Sequence, residues 1–245
     1  MDMIRVVDEM SKWLYERVDT AGARGVVCGL SGGIDSACVA AVAKKTFADN
    51  MLCIVMPCHS VLRDQEDARV VADTFSLPVK TVTLDSAFDA FMALMSDTSK
   101  MAEANVKARL RMITLYHHAQ LLNYLVAGTG NKTELLMGYF TKYGDGGVDL
   151  LPLAGLYKRD VVRLAEVLGI PRAIIEKPPS AGLWPGQTDE QEMGITYPEL
   201  DHILSAINSG EKTDLPEQRV AEIESVMHAT EHKRTMPAVF GPAHT

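Results

Sequence analysis

The stretch GVVCGLSGGIDSACVAAVAKK, Gly25–Lys45, decides how the rest of the chain is read. Gly25–Leu30 is a short apolar run with β-branched residues, and beyond SGGIDS (Ser31–Ser36) an alanine-rich helical segment follows. A strand that passes through a glycine turn into a helix is the opening half of a β-α-β unit. Working outward, MLCIVMP (Met51–Pro57), VKTVTL (Val79–Leu84) and YLVAGTG (Tyr124–Gly130) have the same strand-like character. Helical periodicity occupies Asp64–Phe75, Asp85–Met95 and Ala102–Leu122 between them. It also runs through Ile4, Val7, Met10, Leu14 and Val18 at the start. This alternation predicts an α/β fold, a Rossmann-like open parallel sheet with helices on both faces, in a single domain spanning 1–245. Ligands of such sheets bind beyond the carboxyl ends of the strands, so the loops after the first and fourth strands become the candidate site.

The last third is less regular. Val148–Tyr157 (VDLLPLAGLY) is expected to hold a final strand, and Lys158–Leu168 a helix. Lys177–Gly194 is rich in proline and glycine, and reads either as a lid or as an ordinary surface loop. Helical patterns resume over Pro198–Asn208 and Pro216–Glu231.

Composition removes several classes of function. A net charge of −8 argues against nucleic-acid binding through a broad basic surface, so any anionic ligand must be met by local cations, a metal ion or backbone amides. No segment has the apolar length of a membrane helix. Asp2, Asp8, Glu9 and Glu16 do not suit a secretory signal or an organelle transit peptide, which makes the cytoplasm the expected location. The four cysteines, Cys28, Cys38, Cys53 and Cys58, lack the paired spacing of a zinc site and are expected to be buried, reduced thiols.

SGGIDS carries the chemistry. Gly32 and Gly33 let backbone amides approach a phosphate, and the following helix supplies free N–H groups and a positive dipole end. Ser31 and Ser36 can donate hydroxyl hydrogen bonds to phosphate oxygens. Asp35 is out of place in an anion cradle unless a cation intervenes; Mg²⁺, which binds carboxylate and phosphate oxygens together, resolves that conflict. Neither G-x-x-x-x-G-K-[ST] nor G-x-G-x-x-G occurs.

The loop resembles the pyrophosphatase loop of enzymes that cleave ATP to AMP and pyrophosphate. That resemblance implies an adenine nucleotide alpha hydrolase-like sheet and an adenylation step. GTGNKTELLMGYFTKYGDGGVDLLPLAGLYK, Gly128–Lys158, is similar to the signature of the ammonia-dependent NAD synthetase family. The likeness extends from NVKARLRM (Asn105–Met112) to EHKR (Glu231–Arg234).

It implies a set of roles. Gly29, Leu30, Ser31, Gly32, Gly33, Ile34, Asp35 and Ser36 would form the ATP-phosphate loop, with Thr129, Lys158 and Ser180 as further ATP contacts. Ser180 stands where the family often has threonine. Asp35 and Glu134 would be the Mg²⁺ ligands, and Asp35, Glu134 and Lys158 the catalytic set. Arg109, Lys142, Asp149, His232 and Lys233 match positions that hold deamido-NAD, and Asp149 is one candidate base for ammonia. A homodimer is implied as well, with Glu103–Leu122 and the N-terminal helix as its candidate interface; packing within the chain is the equally economical alternative.

Two rivals stay open. Another adenylating enzyme, such as a tRNA modifier, would share the loop and add a basic face or an RNA-binding domain. A nucleotide-sensing protein that has lost catalysis would lack one of the two metal carboxylates. All four cysteines lie in the nucleotide-binding half, so free ammonia rather than glutamine is the expected nitrogen source. Cys58 beside His59 is the one pair resembling a nucleophile and base.

Overall fold

The computed structural model describes residues 1–180, 182, 184, 186–210 and 215–240. Its sheet consists of β1 (Gly25–Gly29), β2 (Met51–Val55), β3 (Val79–Thr81) and β4 (Tyr124–Val126), all parallel and in the order β3-β2-β1-β4. β1 lies between β2, in the register Cys28↔Cys53, and β4, in the register Val26↔Leu125. The order reverses between β2 and β4 around β1, so the loop after β1 opens at the switch point where such sheets bind ligands.

Side-chain alternation divides the core in two. Val26, Cys28, Met51 and Cys53 pack toward α1 (Met3–Thr20), α2 (Ile34–Phe47) and α7 (Lys158–Leu168). Val27, Ile54 and Val126 face α4 (Asp85–Met92) and α5 (Lys100–Leu122). A parallel strand covered on both faces reads as a continuous apolar run, and this explains Gly25–Leu30. The remaining helices are α3 (Leu62–Phe75), α6 (Lys132–Met137), α8 (Arg172–Ile175), α9 (Asp189–Met193), α10 (Tyr197–Ser209) and α11 (Glu217–Ala229). A third apolar cluster, with Leu200, Ile203 and Leu204 of α10 fully buried beside Met137 and Tyr157, attaches the C-terminal helices to α6 and α7.

Two expectations need correction. Val148–Tyr157 contains no strand: Leu150 makes a single parallel bridge to Ala127, and the chain then turns into α7. Pro152 removes one amide donor, and the Leu151–Ala154 turn bends the chain away from β4. Lys177–Gly194, expected to be a lid or a surface loop, includes the short helix α9. Among the described residues no helix is long and apolar enough to cross a membrane.

Candidate active site

β1 ends at Gly29, and the chain turns through Leu30–Gly33 into α2. Gly32 has φ +79°, and a Cβ there would lie 2.5 Å from the Asp64 carbonyl oxygen and 2.8 Å from the Asp67 Cβ. Only glycine allows α3 to close against the back of this turn. Gly33 caps α2 with no side-chain hydrogen bond, leaving the first-turn amides free for an anion. The Ser31 and Ser36 hydroxyls lie 3.0 Å apart, and Ser36 also donates to the Gly33 carbonyl at 2.9 Å. Ser36 thus staples the turn from inside; its one proton goes to Gly33, so Ser31 donates to Ser36, and the α2 amides are left to meet a phosphate.

The turn forms one wall of a cavity of about 610 Å³ beyond the strand ends. Asp35, Glu134 and Lys158 meet there from α2, α6 and α7. Lys158 Nζ donates to Asp35 at 2.5 Å and stands 3.7 Å from Glu134. Asn131 links the same groups: its amide donates to Asp35 at 2.9 Å while its oxygen caps α6 by accepting from the Glu134 amide. The Glu134 carboxylate in turn accepts from the Asn131 backbone N–H, completing a capping box. Burial, and then the charge of Asp35, push the Glu134 carboxyl up to about 8 against the opposing pull of Lys158. Burial alone would lower the Lys158 pKa, but Asp35 and Glu134 outweigh it and the ammonium is held above its usual range.

Two carboxylates on one cationic point suit a hard divalent cation that takes its other ligands from phosphates and water. Among the described residues no group of three or more potential ligand side chains could hold an ion unaided. Asp35 and Glu134 offer two carboxylates, which suits a cation that completes its shell with ligand oxygens and water.

Of the residues expected to contact ATP, Gly29, Leu30, Ser31, Gly33, Ile34, Asp35, Ser36, Thr129, Lys158 and Ser180 line the cavity; Gly32 turns toward α3. The second set is arranged differently. Lys233 lines the cavity and donates to the carbonyls of Gly138 and Phe140 at 2.7 and 3.0 Å, and burial lowers its pKa. Arg109 donates to the Lys142 carbonyl at 3.2 Å, and Lys142 to the carbonyl of His232, forming a cationic chain outside the cavity wall. Asp149 is not brought to the cavity. Its carboxylate accepts from the Val126 amide at 2.8 Å and the Tyr116 hydroxyl at 3.0 Å, fixing the edge of β4.

Sequence reasoning missed four cavity residues. Arg111, largely buried, donates to the Met56 carbonyl and the Ser60 hydroxyl at 3.2 and 3.3 Å. Its signal was available: Ala104, Ala108, Arg111 and Leu115 form one helical stripe, whereas Arg109 points outward. Asp145 lines the cavity and is exposed there; the crowding of protein atoms around it raises its pKa, opposed by a hydrogen bond from the Thr141 amide. Lys177 bridges Asp64 and Asp67 at 2.8 and 2.7 Å, and Asp189 accepts from the Tyr197 hydroxyl at 3.0 Å. The Lys177 pairing joins residues more than a hundred positions apart and leaves no local signal.

All four cysteines are buried and free. His59 is engaged by Asp89 at 2.8 Å, and burial raises the Cys58 pKa, so this pair is no activated nucleophile.

A parallel α/β sheet with an uncapped glycine turn at its switch point defines a nucleotide-binding protein. The NAD synthase profile matches residues 6–237. An NH3-dependent NAD(+) synthetase of Archaeoglobus fulgidus is 46% identical over 98% of this chain and 97% of its own length. A solved NH3-dependent NAD synthetase from Campylobacter jejuni overlays with a TM-score of 0.86 at 31% identity, covering 98% of this chain and 100% of that one. A structure described as NMN synthetase from Francisella tularensis overlays at 0.91 with 37% identity and 99% coverage of both chains. The chain belongs to the NAD synthase family.

Proposed function

We propose that this chain amidates deamido-NAD with free ammonia, cleaving ATP to AMP and pyrophosphate, as the last step of NAD formation. The observation that carries this is the meeting of Asp35, Glu134 and Lys158 at the phosphate turn, in a chain of this family. A carboxylate is a poor acyl electrophile. Attack of the nicotinate carboxylate on the α-phosphorus gives an acyl adenylate, whose AMP then leaves when ammonia attacks the carbonyl. The α2 amides and Lys158 hold the phosphates, and Lys158 meets the negative charge that builds on departing pyrophosphate. Asp35 and Glu134 would hold Mg²⁺, which supplies Lewis-acid stabilisation of that charge. Thr129 and Ser180 flank the nucleotide, while Arg109, Lys142, His232 and Lys233 neutralise the dinucleotide's phosphates. Asp145, rather than Asp149, is the carboxylate facing ammonium, because it lines the cavity.

The protein acts in the cytoplasm as a homodimer. Val7, Met10, Leu14 and Val18 of α1 are buried in their own chain while Ile4 stays exposed, and α5 leaves Ile113 and Leu121 exposed, so α5 together with the start of α1 is the face offered to a second copy.

A second reading, a mononucleotide acceptor, is favoured by the close overlay with the Francisella protein. Both are tested with purified protein, ATP, Mg²⁺ and ammonium, measuring pyrophosphate with deamido-NAD, with nicotinate mononucleotide, and with neither. Release that depends on deamido-NAD and yields NAD is the expected result. Release that depends only on the mononucleotide selects the second reading, and acceptor-independent release sinks both.

A further inference from the structure

We propose that Asp201, on α10, is a positioning residue that holds Lys158 and Glu134 in register at the phosphate site. Asp201 is fully buried beside Leu200, Ile203 and Leu204. A carboxylate in such surroundings is costly unless its oxygens are bonded. Its Oδ1 accepts from the Thr133 hydroxyl at 2.5 Å and its Oδ2 from the Arg159 amide at 2.8 Å. The Arg159 guanidinium instead reaches the Ser205 hydroxyl at 3.3 Å and stacks 5.2 Å from the centre of the Tyr157 ring. The charge on Asp201 is therefore met by a hydroxyl, a main-chain amide and the start of a helix.

That helix is α7. Its N-cap residue, Tyr157, supplies no side-chain cap. The missing cap comes from elsewhere in the fold: the Thr133 hydroxyl accepts from the Lys158 amide at 3.0 Å, and Asp201 accepts from the next amide. A carboxylate at this position also faces the positive end of the helix dipole. Thr133 is the residue before Glu134, so one buried carboxylate fixes both the first turn of α7, which begins with Lys158, and the turn of α6 that presents Glu134. Among the described residues neither Lys158 nor Glu134 has a hydrogen bond to a strand. Beside the bond from the Lys132 amide to the Leu156 carbonyl, their separation is held by a chain running Lys158 amide, Thr133 hydroxyl, Asp201 carboxylate, Arg159 amide.

This inference rests on the reading that Lys158 and Glu134 act on ATP phosphates, and its test separates the two. Asp201→Asn keeps the shape but replaces one acceptor by a donor. Thr133→Val removes the hydroxyl at similar volume, and Thr133→Ser restores it. The expected result for Asp201→Asn and Thr133→Val is a roughly ten- to hundredfold fall in kcat for pyrophosphate release, the scale of a misplacement of about 1 Å. KM for deamido-NAD should stay within about twofold, because Arg109, Lys142 and His232 lie outside this chain of bonds. Thr133→Ser should recover most of the loss, and the double variant Asp201→Asn/Thr133→Val should lose little more than either single one. Independently of turnover, amide hydrogen exchange at Lys158 and Arg159 should accelerate roughly tenfold or more, as expected for one lost charge-assisted bond, while α1 keeps its protection. Wild-type kcat in a folded Asp201→Asn protein, multiplying losses in the double variant, or a uniform loss of protection through the sheet would each overturn the proposal. If the wild type itself releases no pyrophosphate, the reading of the site fails, and the exchange measurement alone judges Asp201.

Discussion

The phosphate site and the cationic chain beside it solve opposite problems. At the phosphate site, Lys158 is buried and already neutralised by Asp35 at 2.5 Å, with Glu134 3.7 Å away. Arg109, Lys142 and Lys233 have no carboxylate within ion-pairing distance among the described residues, and donate instead to the carbonyls of Lys142, His232, Gly138 and Phe140. The first region is set in advance, as suits groups that must meet charge where it develops. The second keeps its positive charge uncancelled, as suits groups that attract an anionic ligand and let it go. On the proposed function, the contrast separates chemistry from capture.

The most damaging change should be Lys158→Met. It leaves Asp35 and Glu134 buried without their cation, and removing one partner of a buried pair costs about 3–5 kcal/mol of stability. Urea unfolding measures this; a loss below about 1 kcal/mol would show that the pair is not a buried unit. Asp35→Asn should keep the fold and lose most turnover, with several kcal/mol added to the barrier, on the order of the stabilisation a bound metal supplies. Near-normal pyrophosphate release at saturating magnesium would break the assignment. Glu134→Gln should act in the same direction, and the double variant far less than additively.

Lys142→Ala and Lys233→Ala should weaken deamido-NAD by about 1.5–3 kcal/mol each, the range for a bond to a charged group, and affect ATP less. Separate titration of the two ligands decides this. Equal losses for both would erase the distinction between the regions. The smallest effect belongs to Cys58→Ser, expected to leave the ammonium-driven rate within about twofold, because burial raises the thiol's pKa and His59 is held by Asp89. Glutamine-driven turnover abolished by this change would reverse that conclusion.

Much of this was legible in the sequence because it depends on neighbours along the chain. The strand–turn–helix at Gly25–Lys45 is local, and so is the capping box of Asn131 and Glu134, which signalled the unpredicted helix α6. The stripe containing Arg111 was legible too and was passed over in favour of Arg109. Val148–Tyr157 misled because an apolar run shows burial without showing whether a neighbouring strand edge accepts it; here one bridge at Leu150 does so.

By itself the sequence determined the alternating α/β order, the phosphate turn and the family. Each follows from local backbone preference or from residues close together in the chain. Only the tertiary structure decided that Asp35 meets Lys158 across 123 positions, that Lys177 clasps Asp64 and Asp67, and that Asp149 serves the edge of β4. It likewise decided that Asp201 caps a helix that begins 43 residues earlier in the chain. These pairings join charged or polar groups, and burial, more than residue type, sets what each is worth. Burial is a property of the packed whole, created when helices distant in sequence close over the same strand ends.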